Sequence, residues 1–236
     1  MLSICFYRQD ILRGKTQRSI WTGQSHAFKV ISNESDTRHV CPSLILLSLS
    51  MTTALHSILK QSKPGHLCQV RRRLKNVGST TGFIVACSDS LVLFHTLGND
   101  TFQLNGYTVL RNEDICEYRF FTKAEYWQFR AVIHFQLRPI RPAGISVTSF
   151  PELVKSIAQH YPLITFHPEK KKPDVCYIGP LVSITEQTVT VDDLNSNGEW
   201  SGLRLIKISD VTRVDFGGGY EEALAVTAPK RGRNRK

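Results

Sequence analysis

The chain has no C-x-x-C pair and no histidine at metal-ligand spacing, which argues against a zinc site. Its six cysteines, at positions 5, 41, 68, 87, 116 and 176, show no framework spacing, so no disulfide scaffold and no metal are expected. Cys87 and Cys116 fall inside apolar runs and read as small core hydrophobes, which suits a reducing cytoplasm. Long apolar stretches are also missing. The run Leu44–Leu49 is far too short to cross a bilayer, and it comes too late for a signal peptide. No membrane partner is expected.

Catalytic signatures are lacking too. There is no phosphate-cradling glycine loop, nucleophile elbow or paired-carboxylate pattern, and Gly217-Gly-Gly219 lacks the spacing of a dinucleotide loop. His95, His134, His160 and His167 are scattered over different stretches. These absences exclude an enzyme and any cofactor from the expectation.

Basic charge is in excess, but it is unevenly placed. Of the net charge of +10, residues 51–229 contribute only +2, from 19 Lys/Arg against 17 Asp/Glu. Lys230, Arg231, Arg233, Arg235 and Lys236 contribute +5. That end reads either as a polybasic arm able to touch phosphate backbones or as a solvated tail.

Four stretches follow. Residues 1–50 mix Cys, Trp, Arg and Ser without helical or alternating periodicity, and read as disordered or as an over-extended start before Met51. Residues 51–148 and 149–228 read as two copies of one β-rich module, and residues 229–236 as a disordered basic tail. The copies show when Gly82–Leu97 is laid over Gly179–Leu194 at an offset of 97 without a gap. Tyr107–Phe120 lies over Leu203–Phe216 at an offset of 96, pairing Arg111 with Lys207 and Asp114 with Asp210. Leu55–Gln61 resembles Leu153–Gln159. Matching segments in the same order mark a structural repeat.

Each copy predicts a short helix and then about five strands. In the second copy Ser149 and Glu152 form a capping box, and Leu153, Val154, Ile157 and Tyr161 form the apolar face. Strands are predicted over residues 66–74, 80–88, 91–97 and 106–120, then 163–167, 176–184, 188–194 and 202–216. The last run of each copy breaks at Asn112–Asp114 or at Ser209–Asp210. Cys87–Ser90 and Ile184–Gln187 read as tight hairpins. A helix after the first copy is predicted to start at a Thr122/Glu125 capping box, and a shorter one covers 220–224. The fold class is mostly β with short helices: two tandem five-stranded antiparallel barrels, each preceded by a helix, since closure removes exposed strand edges.

This layout resembles the Sm-like family of small β-barrels, within the wider SH3-like class. Gly82–Leu97 looks like that family's first motif and Val109–Ile115 like its second, over about sixty residues of each copy. The chain departs from the motifs at Asn112 and Ile208, where glycine is usual, and at Leu91, where an asparagine is usual. The resemblance implies a nucleotide or ligand rim at Asp89 and Arg111 and at Glu186 and Lys207. The alternative is that the acids stabilise turns and the cations are exposed strand residues. A basic patch of Arg71, Arg72, Arg73 and Lys75, with Arg231, Arg233 and Arg235 in the tail, completes an RNA reading. Phe94, Tyr107, Trp127 and Trp200 are the aromatics available for stacking, or are core. The expected function is a non-catalytic binding or assembly module, its partner RNA or protein, with an oligomer allowed.

Overall fold

The computed structural model describes residues 67–74, 77–98 and 100–230. The first fifty residues, the helix expected near residues 55–61, Lys75, Arg231, Arg233 and Arg235 lie outside them. The described residues form eleven antiparallel strands in one open sheet with three α-helices.

The first half contains β1 (Leu67–Arg72), β2 (Thr80–Cys87), β3 (Leu91–Leu97), β4 (Leu104–Arg111), a 3-10 turn at Asn112–Asp114, and β5 (Ile115–Phe121). Helix α1 (Trp127–His134) follows, and α2 (Phe150–His160) opens the second half. Then come β6 (Ile164–His167), β7 (Tyr177–Gly179), β8 (Leu181–Ile184), β9 (Thr188–Leu194), β10 (Trp200–Lys207), a 3-10 turn at Ile208–Asp210, β11 (Arg213–Phe216) and α3 (Gly219–Thr227). Pro180 separates β7 from β8, because proline brings no N–H to a ladder.

Along the sheet the order is β10-β9-β7-β6-β11-β4-β3-β2-β1-β5, with β8 also on β9. Numbered within each half, with β7 and β8 counted as one strand interrupted at Pro180, the succession fourth, third, second, first, fifth occurs twice. The two halves meet where β11 pairs with β4, in the register Val214 with Val109 and Phe216 with Tyr107.

Gly82 and Gly179 occupy matching places. A Cβ on Gly82 would lie 2.5 Å from the His95 carbonyl oxygen, and one on Gly179 would lie 2.0 Å from that of Asp192. Only glycine lets the second strand of each half press this closely on the third.

Burial follows the pleat. In β3, Leu91 and Leu93 enter one core while Val92 and Phe94 enter another, so the strand is covered on both faces. The smaller core gathers Cys68, Val70, Val92, Phe94, Leu110 and Ile115 within the first half. The larger lies across the meeting of the halves: Leu93 and Val109 pack with Phe166, Val191, Val214 and Phe216. Helix α2 seals it with Leu153, Val154 and Ile157, all fully buried. Ser149 caps that helix by accepting from the Glu152 N–H, whereas the Glu152 carboxylate holds Lys155 at 3.0 Å.

Three local expectations are corrected. The capping box at Thr122 and Glu125 does not form: α1 starts at Trp127 behind Tyr126, with no side-chain cap. Cys116 is exposed on β5, and Cys68 is the thiol fully buried in the core. Cys176 is disulfide-bonded, while Cys68, Cys87 and Cys116 are free thiols.

Candidate functional site: the seam and the turns beside it

Strand 3, strand 4 and the 3-10 turn of each half bring its hairpin and turn together by the same contact. In the first half the Asn112 N–H donates to the Ser90 carbonyl at 2.9 Å; in the second the Ile208 N–H donates to Gln187 at 2.9 Å. The expected rim residues therefore sit at corresponding ends of the two halves, but they differ in what they do.

Arg111 is consumed by the seam. Its Nε donates to the Val211 carbonyl at 2.7 Å and its Nη2 to the Ile208 carbonyl at 2.6 Å, and its guanidinium lies 5.1 Å from the Phe150 ring centroid. Two charge-assisted bonds to backbone oxygens plus a cation–π contact make it a clamp between halves. The matched Lys207 is exposed at the end of β10. Asp89 and Glu186 are both exposed at hairpin tips. At the first of these tips the local polar work falls to Ser88, whose hydroxyl accepts from the Leu91 N–H at 3.2 Å.

Asn112, which the sequence marked as a strand break and a departure from the motif, lies in the turn beside the Asp89 hairpin. Its side-chain amide donates to the Ser88 and Asp89 carbonyls at 2.8 and 3.0 Å, and its buried Oδ1 has no hydrogen-bond partner among the described residues.

The basic patch divides by strand alternation. Arg71 is exposed and bonded to Glu117 at 2.9 Å. Arg73 is also exposed. Arg72 points inward, its side chain 2% exposed, and grips Glu169 of the other half through both terminal nitrogens. This corrects its place in a basic surface. Glu169 also accepts from the Thr212 hydroxyl. Burial alone would raise its pKa, but the Arg72 bonds and charge hold the carboxyl below its ordinary value.

A polar lattice covers the face of β11 opposite the large core. Asp215 accepts from Thr108 at 2.7 Å and from the Arg213 Nε at 2.8 Å, and lies 2.8 Å from His167 Nε2. Thr96 and Thr108 share a hydroxyl contact at 3.0 Å. Burial would raise the Asp215 carboxyl, yet Arg213 and His167 outweigh it and hold the group far below the usual carboxylate range. Glu221 is the opposite case: burial pushes it up, although it accepts from Thr165 at 2.7 Å and from the Gly218 N–H at 3.1 Å. The Asp215 carboxylate stands between Thr108 and His167. The lattice ties β4, β6 and β11 together across the sheet.

Among the aromatics, Phe94 is fully buried and Tyr107 is stacked between His95 and Phe216, at 4.7 and 5.2 Å. Trp200 donates to the Pro229 carbonyl at 2.9 Å, and Trp127 is 57% exposed. Among the described residues no cluster of three His, Cys, Asp or Glu could hold a metal ion, and no helix is long and apolar enough to cross a membrane.

Comparison with family models, curated proteins and solved structures returns no match.

Proposed function

We propose that this chain is a non-catalytic binding and assembly module, built as two tandem small barrels of the Sm-like type that arose by internal duplication. The twice-repeated strand succession, the matching close approaches at Gly82 and Gly179, and the paired hairpin-to-turn bonds support the duplication. The observation that carries the function is the seam itself. The chain already recognises a strand edge, pairing β4 with β11 and locking the pair with Arg111. Backbone ladders of this kind bind extended segments through main-chain bonds and read side chains at alternate positions. Arg72, Glu169 and Arg111 are spent on holding the halves together, which leaves edges and rims as working surfaces.

A second reading is RNA association at the rim. It is favoured by the exposed side chains of Arg71, Arg73 and Lys207, cations of the kind that meet phosphates.

Purification of the full chain from its host, with bound RNA and protein analysed separately at rising salt, tests the two. The assembly reading expects a stoichiometric protein partner that withstands salt, since apolar burial is not screened. Retained RNA with no protein, lost steeply as salt rises, would overturn it in favour of the rim. Recovery of neither would overturn both.

A further inference from the structure

Helix α1 and the turn after it gather large apolar side chains outside any core. No residue of α1 is buried. Trp127 is 57% exposed, Ile133 61% and Phe135 57%, and Ile140, a little further on, is 65% exposed. Val132 and Leu137 anchor the segment against a third core of Leu67, Phe83, Leu97 and Phe121. The other side of the helix is left as an aromatic surface.

Its shape is fixed. The Phe102 ring packs on Trp127 at 5.6 Å and on Phe135 at 5.8 Å between centroids. Phe102 itself has a left-handed backbone, φ 52°, in a turn closed by its N–H on the Gly98 carbonyl and by the Gly98 N–H on that of Gln103, both at 2.8 Å. Gln136 is left-handed as well, at φ 50°. It ends α1 in a glycine's usual role: the Leu137 N–H reaches the Val132 carbonyl and the Gln136 N–H that of Ile133, each at 3.1 Å. Among the described residues, these two are the non-glycine positions with positive φ, and both border the same three rings. Bulky residues rarely adopt this conformation, and such outliers gather where a surface is pre-shaped for a ligand.

Charge selects the occupant. Between residues 122 and 141 the chain carries Lys123, Arg130, Arg138 and Arg141 against Glu125, with Asp100 in the Phe102 turn. Trp127, Arg130 and His134 share one exposed stripe of α1. Arg130 is held there by bonds from its Nη1 to the Ala124 and Glu125 carbonyls, at 2.7 and 3.2 Å. Arg138 and Arg141 are exposed on either side of Ile140 and enter no ion pair among the described residues. Aromatics set among arginines are the residues on which protein interfaces concentrate their binding energy. A second copy of this chain would bring like charges face to face, which disfavours self-association here. We propose that this surface docks an acidic segment of a partner protein. Large apolar side chains of that segment lie on Trp127, Ile133 and Phe135, and its carboxylates meet Arg130, Arg138 and Arg141. The assignment rests on the binding-module reading and gives it a partner chemistry.

Fluorescence anisotropy of the full chain tests this, with a labelled peptide repeating Glu-Leu-Glu-Phe and one repeating Lys-Leu-Lys-Phe as its opposite. The acidic peptide should bind and the basic one should not. Trp127→Ser/Ile133→Ser should weaken binding about tenfold or more and leave the unfolding curve unmoved, since both side chains lie mostly in water. Arg138→Glu/Arg141→Glu should cost the acidic peptide most of its affinity and admit the basic one. No binding, equal binding of the two peptides, or binding indifferent to either double variant overturns the proposal. Capture of phosphatidylserine vesicles in place of the peptide overturns it too, in favour of a lipid contact. Recovery of partners from the host separates this surface from the reading beneath it. A protein retained equally by the parent and by Trp127→Ser/Ile133→Ser sinks the surface and leaves the binding module standing. No partner at all, beside a peptide that binds, sinks the module and leaves the surface.

Discussion

Replacing Arg72 by Met would leave the Glu169 carboxylate buried opposite an apolar chain, and this perturbation isolates what the ion pair does for the union of the halves. Their side chains are 2% and 6% exposed, so neither charge can regain water without opening the seam. Removing one member of such a pair costs about 3–5 kcal/mol, because an uncompensated charge stays behind. Arg72 Nε is itself buried without a partner among the described residues, and that unmet donor draws the expected loss toward the lower end of the range. Glu169→Leu should cost a similar amount for the mirror-image reason. The double variant Arg72→Met/Glu169→Leu removes both charges and should lie within about 1–2 kcal/mol of the parent, giving a coupling of about 4–5 kcal/mol. A single variant therefore removes a large share of a typical domain stability of about 5–15 kcal/mol. Urea unfolding, followed by tryptophan fluorescence and by circular dichroism, measures each corner of the cycle. Singles that cost less than about 1 kcal/mol, or a double as unstable as the sum of the singles, would refute the reasoning. The pH dependence adds a sign. Glu169 has its folded value held below the ordinary one, so its contribution is present above the unfolded value near 4.5 and is lost as pH falls through the folded value.

Other outcomes follow from the same structure. Arg111→Ala should destabilise the chain by about 2–4 kcal/mol in urea unfolding, through two lost charged bonds to carbonyls, whereas Lys207→Ala should stay within about 0.5 kcal/mol. In native protein Cys116 should react with a thiol reagent within the mixing time, while Cys68, whose thiol burial pushes up to about 12, should react only after unfolding. Glu221, raised by burial, contributes stability below its unfolded value and loses it as pH climbs through the folded one; Glu221→Gln should therefore be more stable relative to the parent at pH 8 than at pH 4 in thermal melts.

Much of the fold was legible because its signals are local. Alternation in Thr188–Leu194 and the Asn112–Asp114 break placed β9 and the β4/β5 boundary within a residue or two. The glycines at 82 and 179 were visible as matched positions, though not the close carbonyl approach that requires them. Partnership between distant segments was not legible. Nothing in the string Arg71-Arg72-Arg73 says that its middle member pairs with Glu169, and that depends on which half β11 joins. The start of α1 at Trp127 escaped because a formally good Thr122/Glu125 cap competes with a turn in which the Tyr126 N–H reaches the Lys123 carbonyl at 3.0 Å. For the rim, residue types pointed to Arg111 and Lys207 as equivalents, and only the seam separates a clamp from an exposed cation.

The last of the described strands, β11, lies in the interior of the sheet between β6 and β4. During synthesis from the N-terminus, β4 is complete about a hundred residues before the strand that covers it leaves the ribosome. Through that interval its edge, and then that of β6, is open to the wrong partner, in a chain whose own strands are built to accept one another. Vectorial translation should make the nascent first half the most aggregation-prone species this sequence produces, and the arrival of Arg213–Phe216 the event that commits the whole sheet.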